Sequence, residues 1–506
     1  MTRADGSNGR FDFTTEVPGA SSLGSVHFIA IGGAGMSGVA RVMLAQGIAV
    51  SGSDAKESLV LSAMAAEGAV VHVGHDASHV AGADTVVISS AIREGNVELR
   101  EARSRGLRVM HRSQALASVM RGSRKVVVAG ANGKTTTTSM LTVALQYCGL
   151  DPSFAIGGEL AKHGTNAHHG TGDIFVAEAD ESDGSFLVYR PEVAIVTNVQ
   201  PDHLDFYGTF EAVRAAYARF AATVQPQGLL VTCADDQGSR ALAEVARAAG
   251  TRVVTYGLAS DADVRLTELG GVGLRAHSVL VGAGPDGAGY DNVVLGRLEI
   301  GMPGRHNLLN AAAAFVAATE GLGQEPARVL AGLAGFTGTR RRFEPKGEVA
   351  GVRVVDDYAH NPGKVTALVE TASSIAAPGR LVVVFQPHLY SRTRDFAAEL
   401  ATALSPADVV IVMDVYAARE DPLPGVTGAL IADRLLEAVP HHPSEGERFV
   451  RFVPSWSDVA PLVAALAEPG DLVVTVGAGD VTMIGPEILR LLTQRLDPAV
   501  VTAVKQ

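Results

Sequence analysis

The chain has 506 residues and a formal net charge of -12 at pH 7. This length exceeds what one hydrophobic core supports and predicts about three domains. Because nucleic-acid backbones are bound by basic surfaces, the acidic balance argues against nucleic acid as a standing partner, and an anionic small ligand would need a local cationic pocket.

Cysteine usage and hydropathy indicate a reducing compartment and no membrane span. Cys148 and Cys233 are the only cysteines, and their spacing fits neither a metal site nor a CxxC motif. No apolar run approaches the roughly 18 residues that a membrane span needs. Residues 1–22 are polar and rich in Gly, Ser and Thr, which predicts a disordered tail rather than a signal peptide. We therefore expect a cytoplasmic protein without membrane insertion.

A strand, a glycine turn and a helix follow the tail. Residues 26–31 form an apolar run typical of a buried parallel strand, and Gly33, Gly35 and Gly38 after it satisfy GxGxxG. The helix N-terminus behind such a turn binds a diphosphate. A dinucleotide and a UDP-sugar fit this motif equally well, and a turn used only for helix packing is the remaining alternative.

Three further strands extend this motif into a doubly wound sheet. The first of them, residues 48–54, ends in Asp54, at a position where an acid typically binds a ribose hydroxyl. Two more apolar runs, residues 70–73 and 85–90, continue the sheet. Taken alone, these features indicate a nicotinamide-binding domain.

A phosphate loop opens the second predicted domain. An apolar run at residues 126–129 precedes Gly130, Gly133, Lys134 and Thr135, which match the short motif GxxGKT. Glycine lets backbone N–H groups close around a polyphosphate, and the lysine adds a mobile cation for the outer phosphates. A threonine hydroxyl behind the lysine can ligate magnesium. The alternative is a glycine-rich turn whose threonine caps a helix.

Acidic and polar residues follow two other strands of this domain. The apolar run at residues 174–177 leads into four carboxylates, at positions 178, 180, 181 and 183. In a phosphate-loop protein such an acid is the usual magnesium partner, and a solvated turn is the alternative. The run at residues 193–199 leads to Asp202 and His203. His203 either ligates a second metal, orients phosphate or is structural.

The rest of the chain adds two polar clusters and a third set of strands. Asn307 and Asn310 open an Ala-rich helix, where they cap its first turns or bind an adenine edge. Three arginines at residues 340–342 either contact an anion or form a solvated linker. Four apolar runs that end in polar residues predict a third doubly wound domain. They lie at residues 352–355, 381–385, 409–413 and 472–476.

Together these motifs resemble the Mur ligase family of peptidoglycan synthesis, over nearly the whole chain from Gly32 to Gly485. The resemblance implies an α/β fold of three domains: an N-terminal Rossmann-like domain, a central P-loop ATPase-like domain with a mostly parallel sheet, and a C-terminal Rossmann-like domain. The predicted boundaries are residues 1–22 for the tail, 23–122 for the UDP-sugar-binding domain, 123–337 for the central ATP-binding domain and 338–506 for the C-terminal domain, which binds amino acid and nucleotide.

The resemblance also implies an activity, that of an ATP-dependent acid–amino-acid ligase in peptidoglycan precursor synthesis. The lactyl carboxylate of UDP-N-acetylmuramate is phosphorylated, the amine of L-alanine attacks the acyl phosphate, and phosphate leaves. Residues 386–393 match the alanine-adding members of the family. A recycling ligase that adds a tripeptide to the same sugar nucleotide, an NAD-binding oxidoreductase and a non-catalytic nucleotide-binding scaffold stay as alternatives. We expect ATP and magnesium as cofactors and a monomer or weak homodimer.

Residue roles follow from the same resemblance. The residues expected to bind the UDP-sugar are Gly32, Gly33, Ala34, Gly35, Met36, Ser37, Asp54 and Ser89. Those expected to bind ATP are Gly130, Ala131, Asn132, Gly133, Lys134, Thr135, Thr136, Asn307, Arg341 and Asp357. The expected magnesium ligands are Thr135, Glu178 and His203. Tyr358, His360 and Arg392 are expected to bind the amino acid, and Lys134, His360, Arg392 and His388 to act in catalysis.

Overall fold

The computed structural model describes residues 10–160, 164–282, 293–418, 420–438 and 449–496. Its described residues form three β-sheets. One compact unit lies within residues 1–301 and 305–339 and contains the first two sheets. A second unit, within residues 302–304 and 340–506, contains the third sheet.

Residues 10–22 pack against the first sheet, so the prediction of a disordered tail through residue 22 is too long. The Phe13 side chain is fully buried in the core, and the guanidinium of Arg10 lies 2.6 Å from the Glu94 carboxylate. The polar composition of this segment concealed the apolar area that these aromatic contacts bury. Residues 1–9 of the predicted tail lie outside the described residues.

The first sheet has five strands, all parallel, in the order β3-β2-β1-β4-β5. The strands are β1 (Val26–Ile29), β2 (Val50–Asp54), β3 (Val70–Val73), β4 (Thr85–Ile88) and β5 (Arg108–His111). The helices are α1 (Ala34–Ala45), α2 (Leu59–Ala66), α3 (Val97–Ser104) and α4 (Arg112–Val119). The predicted doubly wound arrangement is therefore present, and the glycine turn lies between β1 and α1.

A buried carboxylate joins β2 to α3. Glu98 is fully buried and accepts hydrogen bonds from the Ser53 hydroxyl at 2.6 Å and from the His79 ring at 2.8 Å. His75 Nδ1 lies 3.1 Å from the same carboxylate. Burial opposes ionisation, but the hydrogen bonds from the histidines and from Ser53 outweigh it and lower the pKa of Glu98 to about 2. Glu98 is therefore ionised at neutral pH.

The second sheet has ten strands in the order β15-β14-β13-β12-β11-β10-β6-β9-β7-β8. They are β6 (Arg124–Ala129), β7 (Ser153–Leu160), β8 (Thr165–His168), β9 (Ile174–Glu178), β10 (Val193–Val196), β11 (Leu229–Cys233), β12 (Arg252–Gly257), β13 (Val264–Val272), β14 (Arg275–Gly282) and β15 (Val293–Ile300). The pairs β7–β8, β13–β14 and β14–β15 are antiparallel, and the others are parallel. The glycine-dense residues 281–289, whose sequence predicts a hairpin tip or a loose loop, lie mostly outside the described residues.

The helices of the second sheet are α5 (Lys134–Tyr147), α6 (Leu204–Tyr207), α7 (Phe210–Ala221), α8 (Gln237–Ala248), α9 (Arg305–Val316) and α10 (Pro326–Ala334). Strand β6 lies between β9 and β10 in this sheet. The last four residues of β6 and all of β10 are fully buried, because both faces of a central parallel strand are covered. The carboxyl ends of β6, β9 and β10 consequently lie side by side.

The third sheet has six strands in the order β16-β17-β21-β18-β19-β20. They are β16 (Glu344–Val349), β17 (Val352–Asp357), β18 (Leu381–Gln386), β19 (Val409–Val412), β20 (Phe449–Phe452) and β21 (Leu472–Gly477). The helices are α11 (Pro362–Ala376), α12 (Tyr390–Asp395), α13 (Ala397–Leu404), α14 (Ala429–Ala438), α15 (Trp456–Leu466) and α16 (Ile484–Leu496). The antiparallel edge strand β16 was not predicted, because its Pro345 and Gly347 obscure a strand pattern.

These three sheets confirm the predicted α/β fold class, with a Rossmann-like sheet at each end of the chain and a mostly parallel sheet between them. Short 3₁₀ turns lie at Ala20–Ser22, Ala77–Val80, Ser185–Val188 and Asp480–Met483, and a π-helical turn at Ala317–Gly321 follows α9. Within the described ranges, the helices are all too short or too polar to cross a membrane.

Candidate active site

The phosphate loop connects β6 to α5, and its backbone depends on two glycines. Gly130 has φ +133° and Gly133 has φ +86°, conformations that a side chain disfavours. A Cβ at Gly130 would lie 2.0 Å from Thr197 Oγ1 and 3.0 Å from the backbone N of Thr197. At this position the loop therefore tolerates no side chain.

The end of β10 holds the loop in place. Asn198 Oδ1 accepts a hydrogen bond from the Asn132 N–H at 2.8 Å, and Asn198 Nδ2 donates to the Asn132 carbonyl at 3.0 Å. The Ala131 N–H donates to the Asn198 carbonyl at 3.2 Å. Helix α5 begins at Lys134, directly after Gly133 of the loop, and the N-terminus of a helix attracts phosphate groups.

Lys134 is paired inside the loop. Its Nζ donates to the Gly130 carbonyl at 2.6 Å and to Glu181 Oε1 at 2.7 Å. Burial disfavours the ammonium, but Glu181 outweighs it and raises the pKa of Lys134. Lys134 is therefore a cation, and its ammonium lies next to Gly130 of the phosphate loop.

Two of the three predicted magnesium ligands meet at the carboxyl end of β9. Thr135 Oγ1 donates to Glu178 Oε1 at 3.0 Å, and Glu178 Oε2 accepts from the Gly157 N–H at 2.7 Å. His203 lies beside a different carboxylate, with its Nε2 3.7 Å from Glu181 Oε1. Glu181 was noted in sequence only as one of four acids; its place between the lysine and the histidine comes from the structure.

These residues fit magnesium. Glu181 Oε2 is buried and has no hydrogen-bond partner within the described ranges, so a hard oxygen next to Lys134 is left to coordinate. No cluster of three or more His, Cys, Asp or Glu side chains in the described part of the chain is arranged to hold a metal by itself. Magnesium in proteins is bound through one or two carboxylates together with phosphates and water.

The four carboxylates after β9 contact two different parts of the structure, the phosphate loop and the first sheet. Glu178 and Glu181 face the phosphate loop, as described. Asp180 Oδ2 lies 2.5 Å from Arg112 Nη2, and Asp183 Oδ2 lies 3.2 Å from His111 Nε2 and accepts a hydrogen bond from the Ser90 hydroxyl. Asp180 and Asp183 therefore contact the carboxyl end of the first sheet, which the sequence pattern did not indicate.

The predicted UDP-sugar residues gather at the glycine turn between β1 and α1. The Gly32 N–H donates to Asp54 Oδ2 at 2.9 Å, and Gly33 precedes Ala34, the first residue of α1. The Asp54 carboxylate thus supports the turn itself, and its predicted contact with a ribose stays a prediction. Ser89 follows β4 at the same edge of the sheet.

Two of these residues face inward. Met36 is buried in the hydrophobic core, and Ser37 is buried as well. Their backbone N–H groups both donate to the Gly33 carbonyl, at 2.9 Å from Met36 and at 2.8 Å from Ser37, and the contact of these two residues with a UDP-sugar stays a prediction. The side chain of Met36 serves packing.

Helix α9 brings two asparagines to the phosphate loop. Asn310 Oδ1 lies 2.4 Å from the position that a Cβ at Gly133 would take. Asn310 Nδ2 donates to Asn307 Oδ1 at 3.4 Å, and both asparagines are buried. Asn307 is therefore separated from the loop by one side chain, that of Asn310. Asn310 itself contacts the loop, and the residue roles inferred from the sequence did not include it.

The other predicted residues belong to the second unit, at the ends of β17 and β18. Arg341 donates to the carbonyls of Gly477 at 2.6 Å and Gly479 at 3.0 Å, and its guanidinium lies 5.0 Å from the centre of the Tyr358 ring. Asp357 accepts hydrogen bonds from the N–H groups of Phe343 and Ala359, both at 2.8 Å. Within this unit, the side chains of Arg341 and Asp357 fix the backbone next to the carboxyl ends of β21 and β17.

His360 is a neutral base in the same unit. Its Nδ1 lies 2.8 Å from the Tyr358 carbonyl, so Nδ1 carries the proton and Nε2 is left as an acceptor. Its ring meets the His388 ring edge to face at 5.5 Å. Burial, with the nearby charges of Lys364 and Arg392, lowers the pKa of His360 well below its ordinary value. The structure thus brings Tyr358, His360, His388 and Arg392 together.

Sequence models of three Mur ligase domains match the chain in succession. The model described as Mur ligase family, catalytic domain matches residues 25–124, the Mur ligase middle domain matches residues 128–318, and the Mur ligase, glutamate ligase domain matches residues 341–479. Together the three matches cover most of the chain.

Curated proteins and solved structures agree with those matches. The UDP-N-acetylmuramate--L-alanine ligase of Kineococcus radiotolerans is 56% identical over 95% of this chain and 98% of its own length. The protein of the same name from Renibacterium salmoninarum is 54% identical over 93% and 97%. The crystal structure of UDP-N-acetylmuramate-alanine ligase from Thermotoga maritima has a TM-score of 0.75 at 27% identity, covering 93% of this chain and 99% of that one.

More distant structures share the fold. A murein peptide ligase from Psychrobacter arcticus has a TM-score of 0.65 at 25% identity, covering 92% of this chain and 98% of that one. The MurF ligase from Thermotoga maritima, solved in complex with ADP, has a TM-score of 0.59 at 18% identity, covering 96% of this chain and 100% of that one. At this identity the second likeness concerns the fold alone.

Proposed function

The chain belongs to the Mur ligase family, and we propose that it joins L-alanine to the lactyl carboxylate of UDP-N-acetylmuramate with the hydrolysis of ATP to ADP and phosphate. The observation that carries the proposal is the phosphate loop, in which Lys134 pairs with Glu181 and Thr135 bonds to Glu178. Relatives at 54–56% identity that carry the name of an L-alanine ligase support the choice of substrates.

The reaction needs an activated carboxylate, because a free carboxylate has no leaving group. The carboxylate oxygen attacks the γ-phosphate of ATP, which forms an acyl phosphate and ADP. The amine of L-alanine then attacks the acyl carbon, loses a proton and displaces phosphate. Lys134 compensates the charge that builds on the transferred phosphoryl group, and the N–H groups of the first turn of α5 bind the phosphate oxygens.

Bound magnesium would neutralise phosphate charge, and Thr135 and Glu178 would hold it, with Glu181 and His203 beside them. In the second unit, His360 Nε2 accepts the proton that the amine loses, and Arg392 binds the carboxylate of the amino acid. Asn307, Arg341 and Asp357 are proposed to bind adenosine. We also propose domain boundaries near residues 122 and 337.

Phosphate release tests this function. The assay contains ATP, magnesium, UDP-N-acetylmuramate and one acceptor from L-Ala, Gly, L-Ser, D-Glu and the tripeptide L-Ala-γ-D-Glu-meso-diaminopimelate. We expect release only with sugar nucleotide and acceptor together, the highest kcat/KM with L-Ala, and no turnover in Lys134→Ala. Lys346→Ala, which removes a lysine from the edge strand β16, is the control and should keep its activity.

Two outcomes contradict the proposal. The tripeptide as the best acceptor would identify a recycling ligase. Binding of NADH, seen by its fluorescence, without phosphate release under any of these conditions would favour an oxidoreductase.

A further inference from the structure

In the second unit, the chain that follows β19 lies against the chain that follows β18. The Tyr416 N–H donates to the Pro387 carbonyl at 2.8 Å, and the Leu389 N–H donates to the Tyr416 carbonyl at 3.0 Å. These bonds make a parallel bridge between His388 and Tyr416. Since β18 and β19 are themselves parallel, the bridge continues their pairing past the ends of the strands.

A second contact between the same two stretches involves the carboxylate of Glu420. The Ser391 N–H donates to Glu420 Oε2 at 2.9 Å, and the Ser391 hydroxyl donates to Glu420 Oε1. Ser391 is the second residue of α12, and the N–H groups at the start of a helix need acceptors from outside the helix. A carboxylate at this end of a helix is also favoured by the helix dipole. Glu420 therefore caps α12 from another loop.

The local sequence gives α12 no cap of its own. Leu389, at the N-cap position, makes no side-chain hydrogen bond to the helix and has φ +69°, a conformation that a leucine side chain disfavours. The helix has six residues, too few to be stable without contacts from elsewhere in the protein. Arg392 directly follows Ser391, so the position of its backbone depends on the contacts with Tyr416 and Glu420.

The ring of Tyr416 reaches a further residue of the candidate site. It stacks on the ring of His388, with the ring centres 6.2 Å apart and the planes 18° from parallel. A Cβ at Gly479 would lie 2.6 Å from Tyr416 Cγ, so the tyrosine also packs against the backbone at Gly479. The chain after β19 thus contacts His388 through Tyr416 and the start of α12 through Glu420.

We propose that Glu420 is a positioning residue of the amino-acid site, which fixes the start of α12 and through it the place of Arg392. The inference rests on the proposed function, in which Arg392 binds the carboxylate of L-alanine. Without the Glu420 carboxylate, the first turn of α12 loses the acceptor of two hydrogen bonds. Binding of L-alanine must then order this turn, and the entropy lost in ordering it lowers the affinity for the amino acid.

Steady-state phosphate release at varied L-alanine, ATP and UDP-N-acetylmuramate tests the proposal, because it gives kcat and a separate KM for each substrate. The variants are Glu420→Ala, Ser391→Ala, the double variant of the two, and Ser391→Thr, which keeps a hydroxyl at this position. Asp421→Ala is the matched control, since it removes an exposed carboxylate from the next residue in the chain. Thermal midpoints are measured on the same preparations.

Glu420→Ala is expected to raise KM for L-alanine by about 10- to 100-fold with kcat within about 3-fold, because two hydrogen bonds to a charged acceptor are lost. Ser391→Ala loses one of them, and its KM for L-alanine should rise by about 3- to 10-fold. The double variant should be no worse than Glu420→Ala, since both substitutions remove the same contact. Ser391→Thr and Asp421→Ala should match the wild type, and KM for ATP and for the sugar nucleotide should stay constant in every variant.

Three results overturn the positioning role of Glu420. One is an unchanged KM for L-alanine in Glu420→Ala, and another is full additivity of Ser391→Ala and Glu420→Ala. The third is an equal rise of all three KM values together with a lower thermal midpoint, which identifies a purely structural contact. A wild type whose phosphate release does not depend on L-alanine overturns the proposed function as well, whereas the first three results leave that function standing.

Discussion

Two glycines with nearly the same positive φ allow the cost of an alanine to the backbone to be measured separately from its cost to the phosphate loop. Gly133, in the loop, has φ +86°, and Gly122, between α4 and β6, has φ +89°. A Cβ at Gly133 would lie 2.4 Å from Asn310 Oδ1, whereas in the described structure nothing lies within 4 Å of one at Gly122. Alanine at either position must adopt a positive φ, and only Gly133→Ala must displace Asn310.

The magnitudes follow from these contacts. The left-handed conformation costs alanine about 1–2 kcal/mol at either position. Displacing the buried Asn310 weakens its hydrogen bond to Asn307, which adds about 0.5–1.5 kcal/mol for Gly133→Ala. A loop shifted by this clash also loses a hydrogen bond to the charged phosphate, about 1.5–3 kcal/mol, which corresponds to about 10- to 160-fold in kcat/KM for ATP.

Urea unfolding and steady-state phosphate release at varied ATP measure the two effects on the same preparations. Both variants should lose stability, with the larger loss in Gly133→Ala, and only Gly133→Ala should lose kcat/KM for ATP. Equal kcat/KM for ATP in the two variants would refute the assignment of Gly133 and Asn310 to the phosphate site.

Three further predictions concern parts of the fold. Glu98→Gln removes a carboxylate whose lowered pKa contributes about 3 kcal/mol at pH 7. Because the pKa of Glu98 is depressed in the folded state, this contribution is present above pH 4.5 and is lost as the pH falls toward 2. The difference in unfolding free energy between wild type and variant, measured in urea at pH 7, 5, 4 and 3, should therefore shrink below pH 4.5. A difference that stays constant would contradict the hydrogen-bond network around Glu98. Phe186→Ala empties a fully buried site stacked at 4.9 Å on Phe220 and should cost about 3–5 kcal/mol in urea unfolding; a loss under about 1.5 kcal/mol would mean that the site collapses. Asn361 caps α11 by accepting from the Lys364 N–H at 2.9 Å, so Asn361→Ala should cost about 0.5–2 kcal/mol with KM for L-alanine unchanged. A tenfold rise in that KM would place Asn361 in the amino-acid site.

Local motifs were predictable because their causes are adjacent in the sequence. An apolar run followed by glycines, a lysine and threonines produces a strand, a turn and a helix with unbonded N–H groups, wherever the element lies in the fold. The strand ends of the third domain were predictable for the same reason. The tail prediction was wrong from residue 10 onward, since Phe13 is buried by residues far along the chain.

The contacts that complete the candidate site depend on the order of strands. Asn198 reaches the phosphate loop because β10 lies next to β6, and Asn310 does so because α9 packs on α5. In the sequence the four acids after β9 form one cluster. In the structure Glu178 and Glu181 face the phosphate loop, whereas Asp180 and Asp183 contact the first sheet.

The sequence by itself therefore determined the α/β class, the two glycine turns and the chemistry of the phosphate loop. Only the tertiary structure decided that Glu181 holds Lys134, and that Arg112 lies against Gly35 while pairing with Asp180. The physical reason is the range of the interactions. Backbone conformation is set by neighbours in the chain, whereas ion pairs between distant segments follow from how the sheets pack.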